Sequence, residues 1–152
     1  MSNKRNVEEE KSMSSNKSKW LIDLGLAFFY SVLMVVCFFL LITHGGWILL
    51  SAVLSGFSLV SLCISCVFHS LSRTIKILFV GSFLGVVPTL AIITFYVYHY
   101  ETYPTYAVNW EWEKTKQFAT YLTMYFGFII LVLVPSVLGA ITGEYIAEKR
   151  KW

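Results

Sequence analysis

Charge is scarce in this chain. Asp, Glu, Lys and Arg together make up 14% of the 152 residues, where a soluble domain carries about 25%. That shortage excludes a soluble enzyme, a nucleic-acid binder and a disordered polypeptide. Cysteine is also rare. The three present, Cys37, Cys63 and Cys66, all sit in apolar runs, which excludes the disulfide framework of a small secreted domain. Period-two alternation of polar and apolar residues is missing, so strands are not expected. There is no H-E-x-x-H, no glycine-rich phosphate loop and no nucleophile elbow. The histidines His44, His69 and His99 fall in three different connections, without ligand spacing on any one helix. No enzyme, metal or cofactor is expected.

What the chain does have is apolar length. Hydrophobic residues account for 57%. They gather in four segments, 20–43, 47–68, 75–98 and 118–146. Each has the roughly 20 residues needed to cross a hydrocarbon core. In lipid, only a helix satisfies its own backbone without neighbouring strands. The expected fold is all-α, a four-helix transmembrane bundle running up-down-up-down. The first apolar run is too long for the core of a cleaved signal peptide and reads as a retained helix. Residues 1–19 are polar, lack a periodic apolar face and read as a disordered tail.

The connections differ in kind. His44-Gly45-Gly46 is a tight turn that predicts antiparallel contact between the first two helices. Residues 69–74 form a second short turn. The third connection, 99–117, is long and carries Tyr100, Tyr103, Tyr106, Trp110 and Trp112. Such amphipathic rings prefer the headgroup level, with a helical turn expected near 109–117. Orientation follows the distribution of cations. Of the 12 Lys and Arg, five are in the N-terminal tail, two in the second turn (Arg73, Lys76), two in the long loop and three at the C-terminus. With four crossings, ten share one side. By the positive-inside rule both termini are cytoplasmic and the aromatic loop is external.

Within lipid, helices associate through close approach of small residues. In the second helix Ser51, Ser55 and Ser58 fall on one face and predict a packing surface. In the third and fourth helices Gly81, Gly85 and Pro88 mirror Pro135, Gly139 and Gly143. The two prolines lie about 20 and 17 Å from the inner ends of their helices, at 1.5 Å per residue. Each is expected to kink its helix. The matched depths predict that Gly81 and Gly85 face Gly139 and Gly143.

The candidate polar site is small. Asp23 stands one turn inside the first helix, where burying a carboxylate costs less than the roughly 2.5–3.5 kcal/mol of mid-bilayer. It is expected to pair with Lys19, Arg73 or Lys76. Glu144 ends the fourth helix on the same side, giving a cluster of Asp23, Arg73, Lys76 and Glu144 that clamps helix ends. Cys63-x-x-Cys66 lies within an apolar helix, where a thiolate is disfavoured and redox chemistry is not expected. The expected role is that of a non-catalytic accessory or scaffold subunit in the cell membrane. Its partners would be the lipid bilayer and a second copy or another membrane protein, with no nucleic acid. The alternative is a small oligomeric transporter or channel using Asp23 and the kinked third and fourth helices.

Overall fold

The structure, a computed structural model, describes residues 2–99 and 110–149, with side chains over 17–99 and 111–149. These residues are helical apart from short turns, with no strand among them. The helices are α1 (Ser2–His44), α2 (Trp47–Phe68), α3 (Leu71–Leu84), α4 (Val86–His99) and α5 (Trp110–Lys149). They supply four stretches long and apolar enough to cross a membrane: Lys17–His44, Trp47–Phe68, Leu71–His99 and Glu111–Lys149. The third stretch is α3 and α4 end to end.

Several boundaries move outward from the sequence expectation. The tail expected to be disordered is helical from Ser2. A helix already nucleated in the apolar run extends without a second nucleation cost, and the Glu, Lys and Met of the tail are good helix formers. At the other end α5 begins at Trp110, so the helical turn expected near 109–117 is present but is continuous with the last apolar run, and Trp110 and Trp112 belong to that helix. Tyr100, Tyr103 and Tyr106 lie outside the described residues.

Two turns have clear causes. Gly45 (φ 54°) and Gly46 (φ 115°) take left-handed backbone between α1 and α2, which side chains disfavour. His69 closes α2 in the left-handed region (φ 49°, ψ 36°), its N–H donating to the Ser65 carbonyl at 2.9 Å. The break between α3 and α4 falls at Gly85, whose φ and ψ stay helical. Pro88 has no N–H to offer the Leu84 carbonyl one turn back. The bonds on either side survive, from Gly85 N–H to Gly81 and from Thr89 N–H to Gly85. Pro135, by contrast, sits inside an unbroken α5.

Packing does not follow chain order. The closest backbone associations are α2 with α5 and α1 with α3. The expectation that the Gly45-Gly46 turn makes α1 and α2 close neighbours is corrected accordingly: they meet mainly through side chains such as Tyr30 and Phe57, edge-on at 5.2 Å. A tight turn fixes the ends of two helices but not their crossing; the small residues that permit close approach lie elsewhere.

The glycines show where. An added Cβ at Gly139 would run into the Ser58 carbonyl, and one at Gly143 would meet the Leu62 carbonyl and Ser65. Gly139 and Gly143 of α5 therefore both pack on α2. Gly81 is occupied by Ala27 and Tyr30 of α1, and Gly85 by the Tyr125 hydroxyl and Ser31. The expected pairing of the two glycine pairs with each other is thus overturned. Each glycine pair admits a different neighbour, because matched depth does not fix which way a helix is turned.

The serine face of α2 is corrected in part. Ser58 lies against α5, and Ser61 and Ser65 are fully buried. Ser51 and Ser55 are exposed and turn their hydroxyls back to the Ile48 and Ser51 carbonyls at 2.9 and 2.8 Å. The α2–α5 contact is tight at the glycines and opens toward Ser51, leaving a groove between Leu54 and Ile130, Leu131, Val134 and Pro135.

The middle of the bundle is filled. Tyr30, Met34 and Phe38 of α1, Phe57 of α2, Leu78 of α3, and Tyr125, Phe128, Ile129 and Val132 of α5 form one buried cluster. Phe38 stands edge-on to Tyr125 at 4.9 Å. Such aromatic pairs add about 0.5–1.5 kcal/mol beyond their area.

Candidate functional site

The polar residues singled out from the sequence gather at the end of the bundle where α3 begins. Ser70 caps that helix, its hydroxyl accepting from the Arg73 N–H at 3.4 Å. The Leu71 N–H donates to Glu144 Oε1 on α5 at 3.2 Å. A carboxylate suits this place, because the first N–H groups of a helix lack partners and carry partial positive charge. Glu144 therefore ties the end of α5 to the start of α3.

Arg73 sits on the first turn of α3. Its guanidinium grips Asp23 of α1, with Nε at 2.8 and 3.0 Å from the two carboxylate oxygens and Nη2 at 2.6 Å from Oδ1. Beneath it lies the Phe68 ring, 4.1 Å from Cζ. The pair is partly shielded, with side chains 28% (Arg73) and 31% (Asp23) exposed. Of the three partners open to Asp23 from the sequence, the structure selects Arg73. Its planar fork matches a carboxylate in two bonds, which an ammonium cannot do.

The four-residue cluster thus resolves into two separate devices. Asp23 and Arg73 form the ion pair, and Glu144 serves the α3 N-terminus. Lys76, one turn beyond Arg73, is exposed and has no ion pair among the described residues. It lines a groove of about 270 Å³ between α1 and α3, walled by Trp20, Asp23, Leu24, Ala27, Arg73, Ile77 and Val80.

Cys63 faces outward, whereas the Cys66 thiol donates to the Gly143 carbonyl at 3.3 Å across the α2–α5 contact. The two residues of the C-x-x-C pattern therefore serve different surroundings. Sequence reasoning missed the buried hydrogen bond, 3.0 Å long, between Tyr30 on α1 and Ser136 on α5. Its signal was a tyrosine far from either end of an apolar run. Tyr125 and Thr89 approach one another in the same interior, but both hydroxyls remain without a well-formed hydrogen bond.

Comparison with known proteins adds no relative: no protein family, curated protein or solved structure matches this chain.

Proposed function

We propose that the chain is a non-catalytic integral membrane protein, an accessory or scaffold subunit of a membrane complex. The reading threads it up-down-up-down through the cell membrane, with both termini cytoplasmic and the segment joining α4 to α5 outside. The orientation is supported by ten of the 12 Lys and Arg falling on one side in that threading.

One observation carries the scaffold role. The interior is packed with side chains, among them Tyr30, Met34, Phe57, Tyr125 and Val132, each buried to 1% exposure or less. A carrier needs a polar or hydrated path at mid-depth, commonly beside broken helices. Here the break at Gly85 is covered by Tyr125 and Ser31. Asp23, which a transport reading would use, is bound by Arg73 near a helix end.

Two measurements test this. Crosslinking in native membranes, followed by mass spectrometry, should recover a stoichiometric partner, either a second copy or another membrane protein. In proteoliposomes loaded with a pH-sensitive dye, proton or monovalent-cation flux should match empty vesicles. Flux abolished by Asp23→Asn would replace the scaffold with a transporter. Labelling by a membrane-impermeant amine reagent should miss Lys149 in intact cells; labelling there reverses the orientation.

A further inference from the structure

The groove between α1 and α3 is polar at one end and apolar at the other. Trp20, Asp23, Leu24 and Ala27 are spaced i, i+3, i+4, i+7 on α1. Arg73, Lys76, Ile77 and Val80 repeat that spacing on α3. Both sets therefore present single faces. The contacts Asp23–Arg73, Ala27–Gly81 and Ser31–Gly85 succeed one another along both helices, so the two faces run side by side. Seven residues of helix give the groove a length of about 10 Å.

Charge along it is unequal. Asp23 cancels Arg73, and no carboxylate among the described residues pairs with Lys76, whose ammonium is the surplus charge at the mouth. Trp20, 63% exposed, adds an amphipathic ring of the kind found at headgroup level. Further in, every lining residue is apolar. A groove with one surplus cation at its mouth and an aliphatic floor complements an amphiphile with an anionic head.

We propose that this groove binds an anionic glycerophospholipid. Its phosphate lies against Lys76, beside the Arg73–Asp23 pair and the Trp20 indole. The first part of one acyl chain follows Leu24, Ala27, Ile77 and Val80. Arg73 is pre-set by Asp23 and Phe68 and offers a fixed guanidinium edge, while Lys76 moves to meet the head. The site rests on the four helices lying in a bilayer, and neither on the orientation nor on the scaffold role. It therefore stands or falls separately from the crosslinking and flux results.

The test is native mass spectrometry of the full chain released from nanodiscs of equimolar phosphatidylglycerol and phosphatidylcholine. The wild-type protein should retain phosphatidylglycerol in preference. Lys76→Gln should lower that preference about fivefold, the effect of one cation near an anionic surface. Lys76→Arg should keep it. Lys149→Gln, a charge at the same end but outside the groove, should leave it unchanged. Val80→Trp, which fills the apolar half, should lose the bound lipid. Lys76 is exposed and makes no ion pair among the described residues, so Lys76→Gln should melt in detergent as the wild type does. Equal retention of the two lipids by the wild type would overturn the proposal. So would a preference that survives Lys76→Gln, or one lost equally in Lys149→Gln. Lipid retained in Val80→Trp would remove the acyl chain from the groove. Displacement by excess inorganic phosphate would make this a free-anion site instead.

Discussion

Gly139 lies directly against the Ser58 carbonyl, so that α2 and α5 touch backbone to backbone. Gly143 repeats the contact one turn along, at Leu62 and Ser65. A methyl group at Gly139 has only a rigid carbonyl to push against, and forcing atoms into such a contact costs about 1–3 kcal/mol. Gly139→Ala should lower thermal stability in detergent accordingly, and Gly139→Leu should lower it further. Gly127 on the same helix has nothing within 4 Å of an added Cβ. Gly127→Ala should therefore raise stability, by about 0.5–1 kcal/mol of helix propensity. Equal effects at the two positions would refute the contact.

The two interior tyrosines make opposite predictions. Tyr30 shares a hydrogen bond with Ser136, and Tyr30→Phe should cost about 0.5–1.5 kcal/mol. Tyr125 keeps its ring against Phe38, but its hydroxyl lacks a well-formed partner. Tyr125→Phe should be neutral or stabilising, since it removes a buried polar group that recovers little. Melting of the two variants side by side decides the matter; a large loss at Tyr125 would show that its hydroxyl is bonded after all.

Glu144 acts as an external cap for α3. Removing a helix-capping acceptor costs about 1 kcal/mol, and Glu144→Ala should lose that much. Glu144→Gln keeps an oxygen for the Leu71 N–H and should retain most of it. Hydrogen exchange at the Leu71 amide should quicken in the alanine variant. An unchanged rate would mean that the carboxylate is dispensable there.

The Asp23–Arg73 pair is partly exposed, so its worth is modest. A double-mutant cycle with Asp23→Asn and Arg73→Gln should give a coupling of about 1 kcal/mol, toward the upper end for exposed pairs because two bonds form in fixed geometry. Arg73→Gln alone should cost more than the double variant, because it strands a half-buried carboxylate. A coupling of zero in low salt would reduce the pair to a coincidence of surface side chains.

The apolar runs were long enough to name four crossings from the sequence, and the helices agree with them in number and place. What the runs could not reveal was partner choice. Gly81, Gly85, Gly139 and Gly143 announced close approach, since a missing side chain matters only where something comes near. Nothing in their spacing says which helix arrives, because that depends on how each cylinder is rotated. The start of α3 was likewise hidden. Residues 69–74 are polar except for Leu71 and read as a turn, yet Ser70 and Glu144 cap a helix beginning at Leu71. Asp23 was legible as a residue needing a cation, and the choice among three candidates fell to geometry.

The pairing of α1 with α3 and of α2 with α5 bears on how the bundle is assembled. During synthesis the first two crossings emerge joined by Gly45 and Gly46, but each has its snuggest surface reserved for a segment not yet made. The Ser58 and Leu62 carbonyls wait for glycines more than 75 positions downstream. Individual helices can insert one after another, as hydrophobic segments do. Their final interlocking must be deferred until the last of them enters the bilayer, and a chain halted before Gly139 leaves α2 without the surface it is built to hold.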